Sequence, residues 1–206
     1  MLSSVVQEAP TGAGAILDIP LIRCAEESDV QRILEIYNHS VLNTAGTYAY
    51  DIQTIEAKQQ WFKEKASDGF PVLVAERSGI VCGFASYGPF RSSAGYQYTV
   101  EDSVYVSVEC RGQGVAKALL QALLLHARSR GCHTMVAVID SANAASIALH
   151  AGCGFREAGR IREVGFKFGS WRDVAFFQLI FSAPEQQQQQ EQEQPQEQQH
   201  THIKVI

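Results

Sequence analysis

A chain of 206 residues, 46% hydrophobic and 19% charged, carries apolar material for one sizeable core but not for two independent ones. Its formal net charge of -5, without a concentrated lysine or arginine patch, excludes the electrostatic footprint of a nucleic-acid or anionic-membrane binder and points to small-molecule partners. Cys24, Cys82, Cys110, Cys132 and Cys153 are odd in number, scattered and never in a CxxC pair, which argues against a disulfide framework or thiolate metal site and for a reducing, cytoplasmic compartment.

Residues 1–20 lack the basic start and continuous apolar run of a secretory signal and read as a flexible leader. A short strand follows at 21–25. The segment 28–40 is an amphipathic helix with Val30, Ile33, Leu34 and Tyr37 on one stripe, and Ser28 with Gln31 fits a capping box at its start. Thr54 caps a second helix that ends near Gly69. Residues 71–76 and 80–87 flank the turn Arg77, Ser78, Gly79 as a hairpin, and a long strand is expected over 96–108. From Val115 the period changes to helical through Leu119, Leu120, Leu123 and Leu124, and the helix stops at Gly131. A buried strand at 133–139, a short helix at 143–152 and closing strands at 159–169 and 171–181 complete a domain spanning 21–182. Residues 183–206 are rich in Gln and Glu and read as a disordered tail; His200 and His202 within it are not taken as metal ligands. No apolar run is long enough to span a membrane.

The order β-α-α-β-β-β-α-β-α-β-β predicts an α/β (α+β) fold, a mixed sheet with helices on both faces. The unit from 103 to 139 should make a right-handed crossover between two parallel strands.

Between strand and helix lies "ECRGQG", residues 109–114, with almost nothing to pack. The first amides of a helix have no partner within it and carry the positive end of the peptide dipoles. Gly112 and Gly114 clear side chains from those amides, and Arg111 adds a cation, an arrangement suited to a pyrophosphate. A Walker loop would need GxxxxGK[ST], and a dinucleotide fingerprint would need glycine where Lys117 stands; both fail. An ordinary tight strand-to-helix turn is the alternative.

The stretch "RGQGVA" matches RxxGxG/A, the pyrophosphate turn of the GNAT superfamily of N-acetyltransferases, and "NAASIALHAGCGF" (143–155) resembles that superfamily's later segment. More narrowly, "IYNHSV", "GFASYGPFR", "YQYTVEDSVYV" and "GRIREVGFKFGSWRDVAFFQL" resemble the phosphinothricin and methionine sulfone (sulfoximine) N-acetyltransferase group, over about residues 21–182. The resemblance implies a twisted, mostly antiparallel sheet whose one parallel pair splays to hold acetyl-CoA, with no metal. It implies that the backbone of Val104, Tyr105 and Val106 binds the pantetheine arm, that Arg111, Gly112, Gln113, Gly114, Val115, Ala116 and Lys117 hold the pyrophosphate, and that Asn143 and Ser146 contact the pantetheine further on. For Ser146, a helix-surface serine is the alternative. Members of the group are commonly homodimers.

Acetylation requires a neutral amine, and an α-amine of pKa about 8 is only about one-tenth neutral at pH 7, so a base helps without needing to be strong. Glu101 matches the group's proposed base and also borders the substrate; Asp102, on the opposite strand face, reads as structural. His150 stands where many relatives have tyrosine, and acid, base and packed roles all stay open for it. Arg91 offers a fork for the acceptor's anionic group, with Phe90 and Tyr96 as walls; Lys167 is a second cation, in a closing hairpin that faces a neighbouring subunit, and Tyr37, Asn38 and Trp171 are further pocket candidates. The implied activity is direct transfer of an acetyl group, in a ternary complex, from acetyl-CoA to the α-amine of a small amino-acid analogue. Acetylation of protein N-termini or lysines, and a non-catalytic acetyl-CoA-binding module, are the alternatives.

Overall fold

A computed structural model describes residues 19–181; nearly all of the expected leader, and the glutamine-rich tail with His200 and His202, lie outside them. The elements are β1 (Leu21–Cys24), α1 (Val30–Asn43), α2 (Ile55–Ser67), β2 (Val72–Arg77), β3 (Ile80–Pro89), β4 (Thr99–Val106), α3 (Val115–Ser129), β5 (Thr134–Asp140), α4 (Ala144–Gly152), β6 (Arg156–Lys167) and β7 (Ser170–Ile180). The seven strands form one sheet in the order β1-β2-β3-β4-β5-β7-β6. Only β4 and β5 run parallel, joined by the crossover through α3 as the sequence predicts.

Alternation along the strands divides the core into two layers. Leu73, Ala75, Ala85, Val100, Met135, Ala137 and Phe177 pack with Val115, Leu119, Leu120 and Leu123 of α3. On the other face Val72, Val74, Val81 and Phe84 meet Ile33 and Ile36 of α1 and Trp61 and Phe62 of α2. The leucine-rich stripe of α3 fills the larger layer, so this helix holds the sheet and also fixes where its own first turn sits.

Two local expectations change. The entry to α1 is held by Asp29 rather than by a Ser28–Gln31 box: its carboxylate accepts the Glu26 N–H at 2.7 Å and both arms of the Arg23 fork at 2.7 and 2.9 Å, while Gln31 pairs along the helix with Glu35. An acidic group with an arginine beside it outcompetes a neutral serine for that place. Thr54 does cap α2, accepting from the Ala57 N–H at 3.3 Å. The strand expected over 96–108 is shorter, with 3-10 turns at Ala94–Tyr96 and Val108–Cys110. Its antiparallel neighbour β3 ends at Pro89, opposite Val100, so residues 96–98 find no antiparallel ladder to join.

Gly83 of β3 lies close against the far end of β4, opposite Val106. A Cβ at Gly83 would lie 2.6 Å from the Tyr105 carbonyl oxygen and 3.2 Å from Val106 Cα, both backbone atoms that cannot swing aside. Gly83→Ala should therefore cost about 2 kcal/mol of stability. Urea unfolding checks this; an unchanged midpoint would show that the Tyr105 carbonyl does not depend on that gap.

Candidate active site

β4 and β5 pair over three rungs only, Thr99 with Thr134, Val100 with Met135 and Glu101 with Val136. Beyond Glu101 the two strands diverge, so Val104, Tyr105 and Val106 present a backbone edge that β5 does not fill. A cleft of about 680 Å³ opens there, and Val104, Tyr105, Val106, Arg111, Gly112, Gly114, Val115, Ala116, Lys117, Asn143 and Ser146 all line it. Sequence positions spread over some forty residues thus meet in one slot.

At the slot's end the turn has the backbone that its glycines imply. Gly112 and Gly114 adopt φ of 72° and 81°, and Gly114, as the residue preceding α3, offers no side-chain oxygen to the leading amides. No acidic residue lies in the first turn, so partial positive charge and unmet N–H groups face the cleft together. Gln113 differs from its neighbours. Its side chain turns back, donating to the Glu109 carbonyl at 2.8 Å and accepting from Arg77. Arg111 folds over the end of β4, its Nε 3.3 Å from the Val106 carbonyl. Asn143 caps α4, its Oδ1 accepting the Ser146 N–H at 3.1 Å, which fixes that helix against the slot's far wall.

Alternation on β4 sends the adjacent carboxylates to opposite faces, as expected. Asp102 reaches α4, where its Oδ2 lies 3.1 Å from His150 Nε2. His150 is 4% exposed, and its Nδ1 sits 2.7 Å from the Ser146 carbonyl, so both ring nitrogens face acceptors and the doubly protonated ring satisfies both. Burial alone would lower its pKa, but the hydrogen bond and charge of Asp102 and the Ser146 carbonyl outweigh it, holding His150 above its ordinary 6.5. The forty-eight-residue separation of Asp102 and His150 leaves no local signal of the pair in the sequence.

Glu101 lines a cavity of about 230 Å³ shared with Asp102, Ser103, Tyr105, Val138 and His150. Burial raises its pKa, the Asp102 charge adds to the rise, and Arg91 opposes it. Arg91 lies on the β3–β4 loop with its guanidinium 4.1 Å from the Phe90 ring centre and donates to the Phe90 carbonyl at 2.7 Å; Tyr96 meets the same ring edge-on. Arg91 and Tyr96 do not line the Glu101 cavity; the loop meets β4 through the Phe90 N–H, which donates to the Thr99 carbonyl at 3.2 Å.

Other candidates have structural duties. Lys167 is 2% exposed and donates to the Thr47 carbonyl, because the 44–53 segment folds over the hairpin end; it is not a free second cation. Asn38 exchanges hydrogen bonds with the Gln53 backbone in both directions at 2.9 Å, clipping α1 to that segment. Trp171 is exposed and packs edge-on to Phe166. Asp140 and Arg172, which the sequence did not single out, stand in the cleft's other wall: the Arg172 fork meets Asp140 at 2.7 and 3.0 Å, and the Tyr48 hydroxyl, from outside the cleft, donates to Asp140 at 2.9 Å.

Two outcomes test this geometry. Gly114→Ala forces a side chain into the left-handed region at a cost of about 1–2 kcal/mol, so acetyl-CoA affinity measured by calorimetry should fall about tenfold or more. The His150–Asp102 contribution follows the raised pKa: it is fully present below about pH 6.5 and is lost as pH climbs through the folded-state value. Wild type should exceed His150→Gln by roughly 1–3 kcal/mol in urea unfolding at pH 6, and the gap should narrow steadily toward pH 9. A gap independent of pH would mean that the ring is neutral in the folded state.

Comparison with known proteins agrees with this architecture. Residues 30–155, more than half of the chain, match the acetyltransferase (GNAT) family. The chain is 45% identical over 158 residues to an L-methionine sulfoximine/L-methionine sulfone acetyltransferase of Salmonella typhimurium, covering 77% of this chain and 92% of the relative. Among solved structures, a phosphinothricin acetyltransferase from Sinorhizobium meliloti in complex with acetyl-CoA superposes with a TM-score of 0.77 at 39% identity, covering 79% of this chain and 88% of that one. A ribosomal-protein-alanine N-acetyltransferase from Brucella melitensis superposes with a TM-score of 0.77 at 47% identity, covering 78% and 99%. With the splayed parallel pair and its glycine turn already in place, these matches establish that the chain belongs to the GNAT acetyltransferase family.

Proposed function

We infer that the protein acetylates the α-amine of a small amino-acid analogue, of the phosphinothricin, methionine sulfone or methionine sulfoximine type, with acetyl-CoA as the acyl donor. The observation that carries the reading is the place of Glu101: a half-buried carboxylate of raised proton affinity, on the strand whose unpaired edge begins three residues later at Val104. The bound thioester supplies the activated acetyl group. The slot residues orient it: the turn at residues 111–117 for the pyrophosphate, and the edge at residues 104–106 with Asn143 and Ser146 for the pantetheine.

Glu101 accepts the proton from the incoming amine, directly or through water, and Arg91 holds the acceptor's anionic end with Tyr96 beside it. His150, with both nitrogens engaged, serves to lock α4 against β4 and so keeps Ser146 and Asn143 on the slot. The β6–β7 hairpin exposes Val164, Phe166, Phe168 and Trp171, an apolar surface suited to a second copy of the chain, and we assign the protein as a homodimer. Its five free cysteines suit a reducing cytoplasm, and no helix among the described residues is long and apolar enough to cross a membrane. The Brucella relative's name supports a second reading, acetylation of a protein N-terminal alanine.

A CoA-release screen separates the two: free amino acids with their sulfone, sulfoximine and phosphinate analogues against peptides beginning with alanine. Turnover of the analogues over the peptides is expected. Glu101→Gln should lower kcat/KM for the analogue by about tenfold or more at pH 7, with the loss shrinking above about pH 8 as the amine deprotonates unaided. Equal loss at every pH would remove Glu101 as the base.

A further inference from the structure

On the face of the sheet opposite α3, a second cavity of about 220 Å³ is lined by Lys58, Lys65, Gln53, Ser86, Ser103 and Tyr105, among others, and by no carboxylate. Lys58 is 2% exposed. Its ammonium lies 3.9 Å from the centre of the Tyr37 ring and 4.5 Å from that of Trp61, and among the described residues it meets no hydrogen-bond acceptor or acid. Lys65 spends one N–H on the Tyr87 carbonyl at 2.7 Å and keeps the others. Gln53 Oε1, on the same lining, is buried without a partner. Buried charges are as a rule paired, and aromatic faces replace only part of an ammonium's lost hydration. Two cations around one cavity, with no anion in its wall, leave room for an anion from outside.

The cavity adjoins the proposed site of chemistry. A Cβ on Gly88 would lie 2.9 Å from Lys65 Nζ, and Gly88 is the cross-strand partner of Glu101. Ser86 and Ser103 pair on the same ladder, and Ser103 and Tyr105 line both this cavity and the one at Glu101. Neighbouring strands lie about 4.8 Å apart, close to the reach of a two-carbon side chain.

We propose that this cavity is the subsite for a side-chain oxyanion of the acceptor, a phosphinate or carboxylate, with Lys58 and Lys65 as its specificity residues. The proposal rests on the reading that an amino acid is acetylated at Glu101. The acceptor then spans three groups: its α-carboxylate at Arg91, its amine at Glu101 and its second anion between the lysines. Analogues with an uncharged sulfone would forgo the charge pairing and depend less on the lysines.

The test compares Lys58→Met with wild type, using phosphinothricin and methionine sulfone as acceptors and Trp61 fluorescence, in a Trp171→Phe background, as a direct binding signal. Lys58→Met should raise the ratio of the phosphinothricin KM to the methionine sulfone KM tenfold or more and should abolish the Trp61 response to phosphinothricin. Lys65→Met, at a half-buried site, should move the ratio the same way and serves if Lys58→Met does not fold. A ratio that stays within twofold in a variant that still turns over both acceptors overturns the subsite and leaves acetyl transfer standing. If wild type acetylates no amino acid, the functional reading fails first, and the fluorescence titration still decides the cavity: no response in wild type, or an equal response in Lys58→Met, overturns it.

Discussion

The structure turns on a parallel strand pair that stops after three rungs. A parallel ladder ordinarily continues until one strand ends; here β4 and β5 part at Glu101 and Val136 while both go on. Interior backbone groups left without a ladder are costly unless something replaces the missing strand. The surroundings keep the gap open. β3 holds β4 on its other side as far as Val106, with Gly83 leaving room for the Tyr105 carbonyl. β7 holds β5 through Asp140, and the Arg172 fork and Tyr48 hydroxyl anchor that residue. Burial would raise the Asp140 pKa, but these donors and the Ala142 N–H outweigh it and keep the carboxyl below its usual range. The wall therefore carries its own neutralised charge and makes no demand on the ligand.

The same divergence separates two carboxylates that are neighbours in sequence. Asp102 is absorbed by His150 between β4 and α4, whereas Glu101 keeps an elevated proton affinity on the other face. Consecutive residues of one strand thus end in an ion pair and in a carboxylate without one, because successive side chains leave a strand in opposite directions. The ion pair also carries position. His150 is tied to Asp102 at one nitrogen and to the Ser146 carbonyl at the other, so the helix that presents Asn143 and Ser146 cannot drift from the strand that presents the slot edge.

Buried charges in this fold are compensated in different ways. Asp102 with His150 on the α4 side of the sheet, and Asp140 with Arg172 on the side where Tyr48 packs, close internally as ion pairs. On the α1 and α2 side, Lys58 is buried among aromatic rings and its pKa is lowered to about 8 by burial alone. Lys58 differs from those groups in having aromatic faces beside it instead of an opposite charge.

The sequence by itself determined whatever depends on short-range pattern. The change from a two-residue to a helical period around residues 109–114 located the turn, the two glycines located its left-handed backbone, and Thr54 located a helix start, because each is governed by contacts within a few residues. The capping site of α1 escaped it, since Asp29 is favoured there by Arg23, held in turn against Glu76 from a neighbouring strand. Tertiary structure alone decided that Asp102 meets His150, that Lys167 is buried under Thr47, and that Lys58 of α2 turns inward. The reason is common to all of them: a charged side chain's fate is set by which partner the fold brings within about 3 Å, and residues separated by tens of positions leave no periodic trace of that meeting.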